Sequence, residues 1–177
     1  NKIVFPYYLM PYGCKNLIRV GKDNDGGYLI DKKSMECAEI LLSFGIDHDW
    51  SFENEFLKNT NCIVHSYDGS VGMLFFLKKI KMRIRGLITK PSREYFEVSK
   101  YWFKLPLKFF SFFNLINNKN GPNHYEINVG NKPEQITFQK TLDNLPIKSK
   151  KIFLKIDIEN NEYALLTEIL NNSDILT

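Results

Sequence analysis

Leu41-Leu42-Ser43-Phe44-Gly45-Ile46-Asp47 is an apolar run that stops at a glycine and an acid. Two later stretches end in the same way. Cys62-Ile63-Val64-His65-Ser66-Tyr67-Asp68 closes on Asp68, and Ile152-Phe153-Leu154-Lys155-Ile156-Asp157-Ile158-Glu159 closes on Asp157 and Glu159. Short, nearly continuous apolar runs bounded by turn residues mark strands covered on both faces, as in a parallel α/β sheet. Such sheets hold ligands outside the carboxyl ends of their strands. A glycine turn followed by an acid about 20 residues on is the order that binds ribose hydroxyls. A nucleotide-type cofactor is therefore the leading expectation.

Around the first run the chain supplies the rest of a βα unit. Ser51-Phe52-Glu53-Asn54-Glu55-Phe56-Leu57 reads as a helix start. Ser51 is a capping residue type, and Glu53 and Glu55 complement the helix dipole in the first turn. Phe52 and Phe56 share a face. Asp47 and Asp49 are alternative caps for the same helix. Upstream, Leu17-Ile18-Arg19-Val20 and Tyr28-Leu29-Ile30 flank the turn-rich Gly21–Gly27. With no helical pattern immediately after Gly26-Gly27, a β-hairpin is favoured over a phosphate loop. Downstream, Tyr125–Val129 alternates as a strand ending at Gly130, Ile136–Gln139 is a further candidate strand, and Thr141–Leu145 is a short turn of chain before Pro146. Lys151–Glu159 is the strongest strand pattern, and Leu165, Leu166, Ile169 and Leu170 have helical spacing.

The chain of 177 residues suits a single domain with a real core. Its parts are an N-terminal hairpin region (1–38), a cofactor-binding βαβ unit (39–69), an insert (70–123), and third and fourth strands with a following helix (124–177). The insert is basic and aromatic. Lys78, Lys79, Lys81, Arg83, Arg85, Lys90, Arg93, Lys100, Lys104 and Lys108 are interleaved with Phe75, Phe76, Tyr95, Phe96, Tyr101, Trp102, Phe103, Phe109, Phe110, Phe112 and Phe113, and only Glu94 and Glu97 oppose the charge. Aromatic clusters are usually core, so one reading is a helical subdomain with lysines facing water. Others are an acceptor-binding wall or lid, a nucleic-acid grip, or a membrane-surface contact.

The net charge of +4 does not by itself imply nucleic acid. Cys14, Cys37 and Cys62 are odd in number and widely spaced, without a disulfide framework, which fits a reducing, cytoplasmic setting. No apolar stretch reaches the length of a membrane span. The chain begins at Asn1 and ends at Thr177, soon after the fourth strand.

Taken in order, these motifs resemble the FkbM-like and related methyltransferase-like families. The resemblance rests on Ser43-Phe44-Gly45-Ile46-Asp47-His48-Asp49-Trp50-Ser51-Phe52-Glu53 as a first cofactor motif and on Arg19-Val20-Gly21 with Asp25-Gly26-Gly27-Tyr28 upstream. Val64–Asp68 and Asn128-Val129-Gly130 correspond to the next strand ends. Thr141–Leu145 followed by Leu154–Glu162 resembles the family's most recognisable signature. The likeness covers roughly residues 17–70 and 125–170 and leaves the insert uncovered. It departs from the family where Asn160 stands in place of glycine, a position at which Asn tolerates left-handed backbone.

The resemblance implies a Rossmann-like class I methyltransferase sheet that uses S-adenosylmethionine, commonly for transfer to oxygen; because the family's sheet has further strands, it also implies that this catalytic domain is C-terminally incomplete. The expected acceptor is a small-molecule or carbohydrate hydroxyl. By the same likeness Ser43, Phe44 and Gly45 lie against the methionine and adenosine parts of the cofactor, Asp68 binds the ribose hydroxyls, and Asp157 faces the reacting centre. Asp157 is expected at the site, and Glu159 in support or at a helix N-terminus. His48, in the cofactor loop, is the candidate general base, because a histidine titrates near neutrality. His65, mid-strand, is expected to be a core or surface residue and not a base. Asp157 as a ligand for a divalent metal lacks partners at metal spacing. A non-catalytic protein of the same fold and a nucleic-acid-binding or nucleic-acid-modifying protein are the rival readings. The full glycine fingerprint of nicotinamide-dependent enzymes is absent.

Overall fold

The structure is a computed structural model that describes residues 13–23, 26–47, 49–89, 104–117, 123–146, 151–158 and 162–176. At its centre four parallel strands are ordered β5-β4-β3-β6: β3 (Ile40–Phe44), β4 (Ile63–Tyr67), β5 (Asn123–Tyr125) and β6 (Ile152–Ile156). Counted within the sheet, this order is 3-2-1-4. It reverses direction between β3 and β6, as in doubly wound folds. All five residues of β3 are buried, as its unbroken apolar run requires.

Alternation along β3 builds two cores. Leu41 faces one side, with Val64, Phe52, Phe56, Met35 and Val20. Ile40, Leu42 and Phe44 face the other, with Tyr67, Phe138, Ile152 and Leu165. The first face is covered by α2 (Ser51–Asn59) and by a separate antiparallel hairpin, β1 (Leu17–Val20) with β2 (Tyr28–Asp31). Short α1 (Lys32–Cys37) follows that hairpin, capped by the Asp31 carboxylate on the Ser34 N–H. The second face is covered by α5 (Phe138–Asp143) and α6 (Glu162–Asn171). A third cluster, Ile46, Trp50, Val71, Phe76 and Phe112, ties the loops at the strand ends to α3 (Met73–Thr89) and α4 (Lys104–Asn117).

Several sequence expectations are corrected. The third strand is Asn123–Tyr125, and residues 126–129 run on as loop, with a bridge between Val129 and Ile136. Ile136–Gln139 is not a strand. Thr137 caps α5 by accepting the Lys140 N–H, so the helix takes up Phe138 and extends to Asp143, through most of the expected turn. Ser51 does not cap α2 but is its first residue, and the Asp49 carboxylate accepts the Ser51 N–H at 3.0 Å. β6 is Ile152–Ile156, shorter than the expected Lys151–Glu159 run. His48, Glu159 and Asn160 lie outside the described residues.

Candidate active site

Three strand ends converge because of Gly45. Its φ of +76° is a left-handed conformation, and a Cβ there would meet the Asp157 carbonyl oxygen at 1.8 Å. Only glycine meets both conditions at no cost. The Gly45 N–H donates to Tyr67 O at 3.0 Å, and the Asp157 N–H donates to Phe44 O at 2.8 Å. The loop after β3 is thereby clamped between β4 and β6. Asp47 follows with φ +41°, an uncommon conformation for a residue with a side chain.

Asp68, at the end of β4, is the brace of this loop. Its Oδ2 accepts the N–H groups of Ile46 (2.9 Å) and Asp47 (2.7 Å), and its Oδ1 accepts the N–H (2.7 Å) and hydroxyl (2.6 Å) of Ser70. A carboxylate offers about four acceptor positions. Here protein donors fill them, one of them a hydroxyl that can rotate away. Asn128, past β5, accepts the Gly69 N–H and holds the next loop.

Beneath Gly45 lies a buried ion pair. Lys155 Nζ donates to Glu53 Oε1 and to Gly45 O, each at 3.0 Å. Ser43 Oγ donates to the same Glu53 oxygen at 2.6 Å. Glu53 is fully buried and Lys155 nearly so. The ammonium also lies 5.3 Å from the Tyr28 ring centre and 5.7 Å from that of Phe52. Tyr28, on the hairpin, donates its hydroxyl to Asp157 Oδ2 at 2.5 Å.

Together these groups bound a cleft of about 660 Å³, within the range of small-molecule sites. It opens where the sheet order reverses. Gly45, Ile46 and Asp47 line it from β3, Asp68 and Ser70 from β4, and Asp157 and Ile158 from β6; Gly26 and Tyr28 of the hairpin close one side. Four carboxylates line it: Asp47, Asp49, Asp68 and Asp157. The one lining cation among the described residues, Lys155, is matched by Glu53. Lys22 pairs with Asp49 at 2.6 Å. Burial pushes the Asp49 carboxyl up, but hydrogen bonds from Lys22 and Ser51 outweigh it and hold it low. The cleft is therefore net acidic.

Of the residues singled out in the sequence, Gly45, Asp68 and Asp157 are brought together at this cleft. Ser43 and Phe44 are not among its lining; their side chains are buried, Ser43 on Glu53 and Phe44 edge-on to Tyr67 and Phe138. His65 is a buried residue of β4, the core alternative of the two expected. Trp50 packs on Phe76 and Phe112 and donates to Ser111 Oγ at 2.9 Å, so it anchors α4. Among the described residues no group of three or more His, Cys, Asp or Glu could hold a metal ion. Lys155, Glu53, Tyr28 and Asn128 were not picked out as site residues. The readable signal for the first was a lysine inside an otherwise apolar strand run, which demands a buried partner. No family model matches the chain, and no curated protein or solved structure matches it significantly.

Proposed function

We propose that the chain is a Rossmann-like methyltransferase domain that binds S-adenosylmethionine in this cleft and transfers its methyl group to a hydroxyl of a small molecule or sugar. The observation that carries the reading is the net acidic cleft at the point where the sheet order reverses, with a glycine turn and two strand-end carboxylates on its wall. Anionic walls favour a cationic sulfonium over anionic pyrophosphate cofactors. The resemblance of the motifs to FkbM-like methyltransferases points the same way.

The residues present fit such a ligand. Asp68 takes the ribose hydroxyls, with the Ser70 hydroxyl yielding its place on Oδ1. Gly45 and Ile46 present backbone against the nucleoside without a side chain at Gly45 to obstruct it. When bound, S-adenosylmethionine supplies an electrophilic methyl group. Asp157, held by Tyr28, orients the acceptor hydroxyl and takes up its proton as the new carbon–oxygen bond forms. Before transfer, Asp47 and Asp157 favour binding of the sulfonium cation.

Ultraviolet cross-linking with methyl-labelled S-adenosylmethionine tests this. The label should attach to the chain and be displaced by unlabelled S-adenosylhomocysteine but not by NAD or ATP. It should weaken about tenfold or more in Asp68→Asn, the loss expected when a hydrogen bond to a charged group is removed. Labelling that NAD displaces equally, or that Asp68→Asn leaves intact, contradicts the proposal.

A further inference from the structure

Away from the cleft, α3 carries two parallel stripes. Leu77, Ile80, Ile84 and Ile88 recur at helical spacing and are all exposed, Ile88 by 75%. Lys78, Lys81 and Arg85 follow the same spacing one residue along, about a quarter-turn round the helix, and are exposed too. The core contact of α3 is made by a third face, through buried Phe76. On α4, Leu107, Phe110 and Phe113 are likewise exposed while Phe112 is buried. Neither helix contains an aspartate or glutamate.

We infer that this face docks on an anionic lipid surface, with the aliphatic stripe of α3 in the headgroup–acyl boundary and the basic stripe on lipid phosphates. An apolar stripe edged by lysine and arginine, with no acid, is the composition of a helix lying in a membrane interface. α3 has 17 residues, and among the described residues no helix is long and apolar enough to cross a membrane. The contact is therefore lateral.

Charge selects this occupant. A second copy meeting the same face would set basic stripe against basic stripe with no acid on either helix to pair them. A single-stranded nucleic acid would need stacking platforms between the cations. On α3 the residues between the cations are aliphatic, and Phe76 is turned into the core.

Co-sedimentation of the full chain with sucrose-loaded phosphatidylcholine vesicles, with and without roughly one part in four of phosphatidylglycerol, tests the inference. The chain should sediment with the anionic vesicles and not with the neutral ones. The triple change Lys78→Ser, Lys81→Ser, Arg85→Ser should lower partitioning about a hundredfold, about fivefold for each charge. Ile80→Ser with Ile84→Ser should lower it as well, at unchanged net charge. All five positions are exposed, and an unchanged urea midpoint certifies that each variant is folded. No sedimentation, or sedimentation indifferent to either set of changes, overturns the inference. So does salt-dependent RNA binding without vesicle binding, or a dimer that Ile80→Ser with Ile84→Ser dissociates.

Discussion

Lys155 and Glu53 set the terms at the residue scale. Neither charge can be buried alone, and each is the other's compensation. The pair also places an ammonium on the Gly45 carbonyl and against the Tyr28 ring, so it fixes the glycine turn from below. Lys155→Met should cost about 3–5 kcal/mol, because it strands the Glu53 carboxylate. Adding Glu53→Gln should restore most of that, since the amide oxygen still accepts the Ser43 hydroxyl. Urea unfolding of the two single variants and the double variant gives the coupling; additive losses would show that the pair is not a unit. Gly45, Asp68 and Asp157 were legible in the sequence because each ends an apolar run. Ser43 and Phe44 were not, because adjacency to Gly45 along the chain says nothing about which way a strand side chain turns.

At the scale of elements, the hairpin is what completes the cleft. Its Tyr28 sets its ring edge-on to Phe52 at 5.3 Å and its hydroxyl on Asp157. Tyr28→Phe keeps the ring and loses the hydroxyl. We expect the urea midpoint to move by less than about 1 kcal/mol in stability while the Kd for S-adenosylmethionine rises about fivefold. An unchanged Kd would remove Tyr28 from the site. The hairpin and the three long strand runs were readable from period and turn chemistry. The third strand and α5 were not: β5 is three residues long, too short for alternation to register, and the Thr137 cap outweighs the strand pattern of Ile136–Gln139. The insert divided between readings, with Phe76 and Phe112 in the core and Phe110 and Phe113 outside it.

For the whole molecule, the sheet must keep His65 neutral. Burial on β4 holds its pKa below the ordinary 6.5. The unfolded chain therefore binds the proton first, and this contribution to stability is complete above about pH 6.5 and is lost as pH falls toward the folded value. Urea midpoints should decline between about pH 7 and 5, and His65→Gln should flatten that decline. An identical slope in the variant would assign the acid sensitivity to other groups. The proposed function places the ligand at the reversal of strand order, where an acidic wall favours a cation. Calorimetric titration with S-adenosylmethionine and S-adenosylhomocysteine, against NAD and ATP, tests that claim most directly. Saturable binding of both sulfur nucleosides, tighter for the cationic S-adenosylmethionine at low salt and absent for NAD and ATP, is the predicted result. Binding of NAD or ATP in their place, or of none of the four by the folded chain, would contradict it.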